Sequence, residues 1–306
     1  MAFGGSTVHT RCKRCGYMRT TIDEAPMWQC PKCQAAYAKT DRSQDPVSQL
    51  HYRRQPTGLL RLQRFLSSIF LISLVVTALA YFYKGDLTAP TPIHPDLLSE
   101  PIQQLLTNSQ DFSVLYKREK YNVRPVADYE LWGLVVSHNN ISGLMDSYHD
   151  GDSVDTKDLC VVWGGNLTSG SYQQAKYTSG AWTCYYTHPY GVSFNSSQFS
   201  NNHLITADQA IRDIIAEIRI GDQVHVKGQL VDYQADKFPD FWRKSSTTRA
   251  DSGNKACEVV FVSKIDILRK GTAGWYAAFT IGLWTMLVVF LLKGVVLYLE
   301  GNEKRH

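Results

Sequence analysis

One stretch constrains this chain more than any other. Phe65–Tyr83, FLSSIFLISLVVTALAYFY, runs nineteen residues without a charge. A helix of ~20 apolar residues matches the ~30 Å hydrocarbon core of a bilayer. The run is too long for a signal-peptide core, starts far from the N-terminus, and no small-residue cleavage pattern follows it. A second run, Trp275–Leu299, opens with Trp275 and Tyr276 and closes on Tyr298, which suits interfacial aromatic anchoring. Lys293 lies toward its far end, where a long side chain can snorkel to the interface. Ser67, Ser68 and Ser73 on the first span, and Gly282 and Gly294 on the second, are small enough for close helix contact. They leave a homo-oligomer open, although no GxxxG pair is present.

Composition breaks at the first span. Residues 1–64 carry eleven Lys/Arg against four Asp/Glu, whereas 84–274 carry eighteen against twenty-two. Four of the seven cysteines precede Phe65. Two such breaks at one point indicate two compartments. Arg53, Arg54, Arg61 and Arg64 precede the span and only Lys84 follows closely, so the positive-inside rule keeps the N-terminal side cytoplasmic. These arginines face anionic lipid, at ~1 kcal/mol each near the surface. Lys264, Arg269 and Lys270 oppose that bias at the second span, but the first span is the stronger and sets topology. Both termini are then cytoplasmic and 84–274 lies outside.

The cytoplasmic segment holds Cys12-Lys13-Arg14-Cys15 and, fourteen residues on, Cys30-Pro31-Lys32-Cys33. Each CxxC turn aims two thiolates at one point, and four thiolates suit tetrahedral Zn²⁺. The spacing resembles a zinc ribbon over roughly 10–38, with structural zinc supplying folding free energy. Iron in a rubredoxin-like site is the alternative. Tyr17, Trp28 and Tyr37 are expected to cover its small core. Lys13, Arg14 and Lys32 form a solvated basic face or a docking surface for an acidic protein or a nucleic acid.

The domain reading is therefore a ribbon over 1–39, a linker and basic segment over 40–64, a first span over 65–83, a Pro-rich spacer over 84–111, a folded domain over 112–270, a second span over 275–299 and a tail over 300–306. In the spacer, Pro101 is expected to start a short helix carrying Ile102, Leu105 and Leu106. Tyr129–Ser137, Asp158–Trp163, Ala181–Thr187, Gln223–Tyr233 and Ala256–Val262 read as strands. Ala207–Ile218 reads as a helix capped by Thr206, with its isoleucines on one face. The fold class is a multi-domain membrane protein whose outer domain is α+β and mostly β. IRIGDQVHVKGQLVDY suggests an OB-like barrel, with Gly228 permitting a sharp bend.

No GxSxG, Walker, HExxH or dinucleotide motif occurs, so no enzyme class is assigned. Cys160 and Cys184 are a candidate disulfide, with three buried thiols as the alternative. Arg243, Arg249 and Asp251 form a candidate anion-binding loop; a plain polar hairpin loop is the alternative. Asp146, Asp150, Asp152, Asp155 and Asp158 read as a solvated acidic loop, His203 as a turn residue, and His225 as solvent-facing.

LCVVWG, SNNHL, IGDQVHVKGQL and RADSGNKACE together resemble a group of uncharacterised proteobacterial two-span inner-membrane proteins with an N-terminal zinc ribbon and a β-rich periplasmic domain. The resemblance implies a bacterial inner membrane and a periplasmic location for 84–274. It carries over no activity and no functional residue. The expected function is a binding or signalling component that links a periplasmic domain to a cytoplasmic docking module, with membrane lipids and proteins as partners. A tethered enzyme around Arg249, Asp251 and His203, and a passive assembly scaffold, are the alternatives.

Overall fold

The computed structural model describes residues 10–40, 58–88, 92–141, 151–180, 183–249 and 257–303. The chain divides into two compact units, Met1–Phe65 with Val296–His306, and Leu66–Val295.

The larger unit is organised by two long apolar helices, α1 (Gly58–Tyr83) and α3 (Ala273–Glu303), each long and apolar enough to cross a membrane. They run antiparallel. Tyr83 stacks on Trp275 with ring centroids 5.0 Å apart, Lys84 Nζ lies 3.6 Å from the Phe279 ring, and Lys293 Nζ donates to Ser67 Oγ at 2.9 Å. Lys293 thus hydrogen-bonds across the helix pair rather than snorkelling alone. Gly282 lets Thr77 approach so closely that a Cβ there would collide with the threonine side chain. Gly294 has no such neighbour.

Between the helices lies a mostly β domain. Among the described residues its strands are β1 (Ile102–Leu105), β2 (Phe112–Tyr116), β3 (Glu119–Asn140), β4 (Asp155–Val162), β5 (Lys176–Ser179), β6 (Cys184–Thr187), β7 (Phe199–Ile205), β8 (Gln223–Ala235) and β9 (Cys257–Arg269). β3 pairs with β4, β4 with β7, β7 in parallel with β9, β9 with β8, and β8 again with β3. The ladder returns to the strand on which it began. β1 and β2 flank β3, and β5–β6 form a separate hairpin.

The expected strands are present with different limits. Tyr129–Ser137 is the second half of the 22-residue β3, and Asp158–Trp163 starts three residues early. Ala181 and Ala256 lie outside the described residues. β7 is not among the expected strands, because its run SNNHL is polar where core strands are apolar, and only His203 within it is read, as a turn residue. Residues 102–105, expected as a helix, pair with β3 as an edge strand. The spacer is not free: Leu97 is fully buried against Leu134, Val162 and Leu167, and the His94 N–H donates to Gln223 Oε1 at 2.7 Å.

Helix α2 (Gln209–Glu217) starts two residues later than expected, because the Asp208 carboxylate rather than Thr206 accepts from the Ala210 and Ile211 N–H groups. Its Ile211 and Ile215, with Ile218, pack into the main core of Leu131, Leu159, Val161, Leu204, Val226 and Val260. Gly228 is required by close approach rather than by a bend alone. A Cβ at this position would strike the Phe261 carbonyl oxygen at the β8–β9 register shift.

Candidate functional site

In the smaller unit the two CxxC turns are built alike. Gly16 N–H donates to Cys12 O (2.8 Å) and Gln34 N–H to Cys30 O (2.9 Å). Gly16 and Gln34, each four residues after the first cysteine of its pair, both adopt left-handed backbone, at φ 74° and 57°. The four sulfurs of Cys12, Cys15, Cys30 and Cys33 lie within 4.8 Å of one another, and the Cys12–Cys33 and Cys15–Cys30 pairs are 3.7 and 3.6 Å apart. Four sulfurs ~2.3 Å from a central ion would stand about 3.8 Å apart in a tetrahedron. The cluster therefore fits a metal ion, and four cysteine ligands leave no position for substrate.

Arg19 completes this unit, a role the sequence did not signal. It is buried and donates to the carbonyls of Ala25, Pro26 and Gln29. Trp28, expected over the core, is 63% exposed, and Ile22 and Met27 are exposed as well. Lys13, Arg14 and Lys32 are exposed. Arg61 and Arg64 are exposed at the start of α1, whereas Arg53 and Arg54 lie outside the described residues.

In the β domain the strongest polar cluster centres on His203. Its β7 position faces Asp158 of β4 in register, and the ring is fully buried. Nδ1 lies 2.5 Å from Asp158 Oδ1, and Nε2 is bonded to Asp155. Tyr233 Oη donates to the same Asp155 oxygen at 2.5 Å, and Ser153 donates to the other oxygen. Burial and the Arg243 charge lower the His203 pKa, but Asp158 and Asp155 outweigh them and raise it above its ordinary value. Burial raises the Asp155 pKa, but His203, Ser153 and Tyr233 outweigh it and hold the carboxyl well below the usual range. The ring lies between two carboxyl groups, one at each nitrogen. Asp155 and Asp158, expected in a solvated loop, are core residues, and His203 is no turn residue. Asp152 pairs instead with Arg118 at 2.7 Å, while Asp146 and Asp150 lie outside the described residues.

Of the candidate anion loop Arg243, Arg249 and Asp251, the first two lie among the described residues, and the Arg243 charge acts on His203. Arg249 lies with its guanidinium 5.0 Å from the Trp163 ring, whose Nε1 donates to Glu100 at 2.8 Å. Tyr129, whose Oη donates to Asn202 Oδ1 at 2.8 Å, belongs to the same core as Trp163. Asn202 and His203 are neighbours on β7 and point to opposite faces. Arg243 pairs through its backbone with Tyr233. Asp251 lies outside the described residues. With both ring nitrogens occupied and the ring buried, His203 ties β7 to β4 and, through Asp155 and Tyr233, to β8.

His225, expected toward solvent, is 12% exposed in its side chain, stacks on Trp132 at 4.8 Å and is bonded to Glu130 at 2.7 Å. Cys160 and Cys184 are joined, with Cα atoms 5.9 Å apart. The remaining thiol of the domain, Cys257, is buried and accepts from Asn201 Nδ2 at 3.3 Å.

No protein family, curated protein or solved structure matches the chain.

Proposed function

We propose that the chain is a membrane-anchored binding component that couples an outer β domain to a metal-stapled docking module on the cytoplasmic side. The observation that carries this reading is the antiparallel helix pair. Lys84 and Phe279 meet at the end that joins the β domain, and Ser67 and Lys293 meet at the other end. A two-span topology then returns the chain to the side of the cysteine module. The positive flank Arg53, Arg54, Arg61 and Arg64 supports assigning that side to the cytoplasm.

Zinc is the metal proposed for Cys12, Cys15, Cys30 and Cys33, because the all-thiolate donor set and the sulfur spacing suit it and a closed site suits a structural role. A bacterial inner membrane with the β domain in the periplasm is the proposed location. The Cys160–Cys184 link supports an oxidising compartment. The β domain is read as OB-like on two grounds: its strand pairings form a cycle, and α2 lies between β7 and β8 with its isoleucines in the enclosed core. The wall formed by β7 and β9 is covered by the chain itself, through Tyr233 against His203 and Phe112 against Phe261. This favours a protein partner over an oligonucleotide laid on that wall.

The test is in-cell cross-linking followed by purification from native membranes, comparing wild type with Cys30→Ser/Cys33→Ser and with surface variants of the β domain. Coupling predicts a cytoplasmic partner that is lost in the cysteine variant and altered by the β-domain variants. If β-domain variants leave every cytoplasmic interaction unchanged, coupling across the membrane is wrong.

A further inference from the structure

A cavity of about 540 Å³ opens between α2, the start of β4 and the β2–β3 turn. That volume suits a small molecule. Its wall carries Lys157, Arg212 and Lys117, together with the polar groups of Asn140, Thr156 and Gln209.

Neither Lys157 nor Arg212 is directly ion-paired among the described residues, although the charges of Asp222 and Asp155 act on them from beyond contact. Lys157 is 3% exposed and its ammonium donates to the carbonyls of Ala216 (3.1 Å) and Ile218 (3.0 Å). The Arg212 guanidinium donates only to carbonyls, those of Ser153, Val154, Asp155 and Thr206, and stacks 4.1 Å from the Tyr116 ring. Among the described residues, neither cation has a carboxylate within ion-pair distance. The acids on the wall are engaged elsewhere: Asp155 by His203, Ser153 and Tyr233, and Asp213 by the Gln209 amide at 2.7 Å. Burying an ammonium without a counter-ion is costly, and burial together with the Arg219 charge lowers the Lys157 pKa to about 8. An anion in the cavity removes that cost.

We infer that this cavity is a binding site for a small multivalent anion of the phosphate class, held by Lys157 and Arg212 with Lys117 at its mouth. The site stands independently of the coupling reading above. The phosphate has two candidate sources. One is a soluble phosphate compound. The other is a lipid headgroup, since Ile218 is two residues from Ile220, whose carbonyl accepts from Tyr276 Oη at the start of α3 (3.5 Å).

The experiment uses the full chain in nanodiscs. Inorganic pyrophosphate is titrated calorimetrically into discs of phosphatidylcholine alone, and then into discs that also contain phosphatidylglycerol. Wild type is expected to bind in the first discs, and Lys157→Met to bind about tenfold more weakly through loss of one charge-assisted hydrogen bond. Lys157→Arg should retain binding. If Lys157→Met fails to fold, Lys117→Ala at the exposed mouth carries the comparison and should bind severalfold more weakly. Competition by phosphatidylglycerol would assign the site to a headgroup, and its absence to a soluble phosphate. Absence of pyrophosphate binding in phosphatidylcholine discs, or equal binding by wild type and by folded Lys157→Met, would overturn the inference.

Discussion

His203 Nδ1 lies 2.5 Å from Asp158 Oδ1, with both side chains buried, and Asp155 holds the opposite ring nitrogen. This bridge ties β7 to β4, and Tyr233 extends it to β8. The pH dependence follows from the two shifted groups. Asp155, depressed in the fold, contributes stability that is complete above about pH 4 and is lost as pH falls through its folded value. His203, raised in the fold, contributes stability that is complete below about pH 6.5 and is lost as pH rises through its folded value. Both act together between those limits. Urea unfolding of wild type and His203→Gln should show the widest stability gap near pH 5.5 and a narrower one near pH 9. A gap that does not change with pH would contradict the charged bridge.

Removing the ring altogether leaves two buried carboxylates facing one another. His203→Ala is expected to cost about 3–5 kcal/mol, the range for stripping one partner from a buried ion pair. The same unfolding titration measures it, and a loss below about 1 kcal/mol, typical of an exposed pair, would show that the bridge is dispensable.

The four-cysteine unit has little core of its own, since Trp28, Ile22 and Met27 are exposed. Metal binding should therefore be folding. Elemental analysis is expected to find one zinc per chain, and chelation should collapse the Trp28 fluorescence signal of the native state while leaving the β domain intact. Cys30→Ser should behave as the chelated protein does. Iron in place of zinc would correct the metal, and an unchanged spectrum after complete metal loss would remove its folding role.

Gly228 sits where β8 and β9 come closest. Gly228→Ala should destabilise the domain by about 1–3 kcal/mol, the usual cost of forcing extra volume into a packed site. Gly294→Ala on α3 meets open space and serves as the neutral comparison. Thermal unfolding of both variants checks the pair.

The sequence disclosed most where physical constraint is strongest. The nineteen-residue uncharged run lies in a helix long and apolar enough to cross a membrane, and the two CxxC turns bring four sulfurs within 4.8 Å of one another, as a metal site requires. The isoleucine spacing likewise located α2. The sequence was least informative where polar residues are buried. β7 reads FSNNHLI, and its Asn202 and His203 look like turn residues until Tyr129 and the two aspartates are seen to satisfy them across the sheet. The same pairing hid Asp155 and Asp158 inside an apparently acidic loop. Residues 102–105 misled for a different reason: four residues are too few to distinguish a helix from an edge strand by periodicity.

The measurement that bears most directly on the proposed two-span coupling is membrane topology. Single cysteines placed at the N-terminus, in the β domain at exposed Tyr190 and at the C-terminus, in a background lacking exposed native thiols, would be labelled in intact cells with a membrane-impermeant maleimide. The reading predicts labelling at position 190 alone, with both termini reacting only after lysis. Labelling of either terminus in intact cells, or protection of position 190, would contradict it.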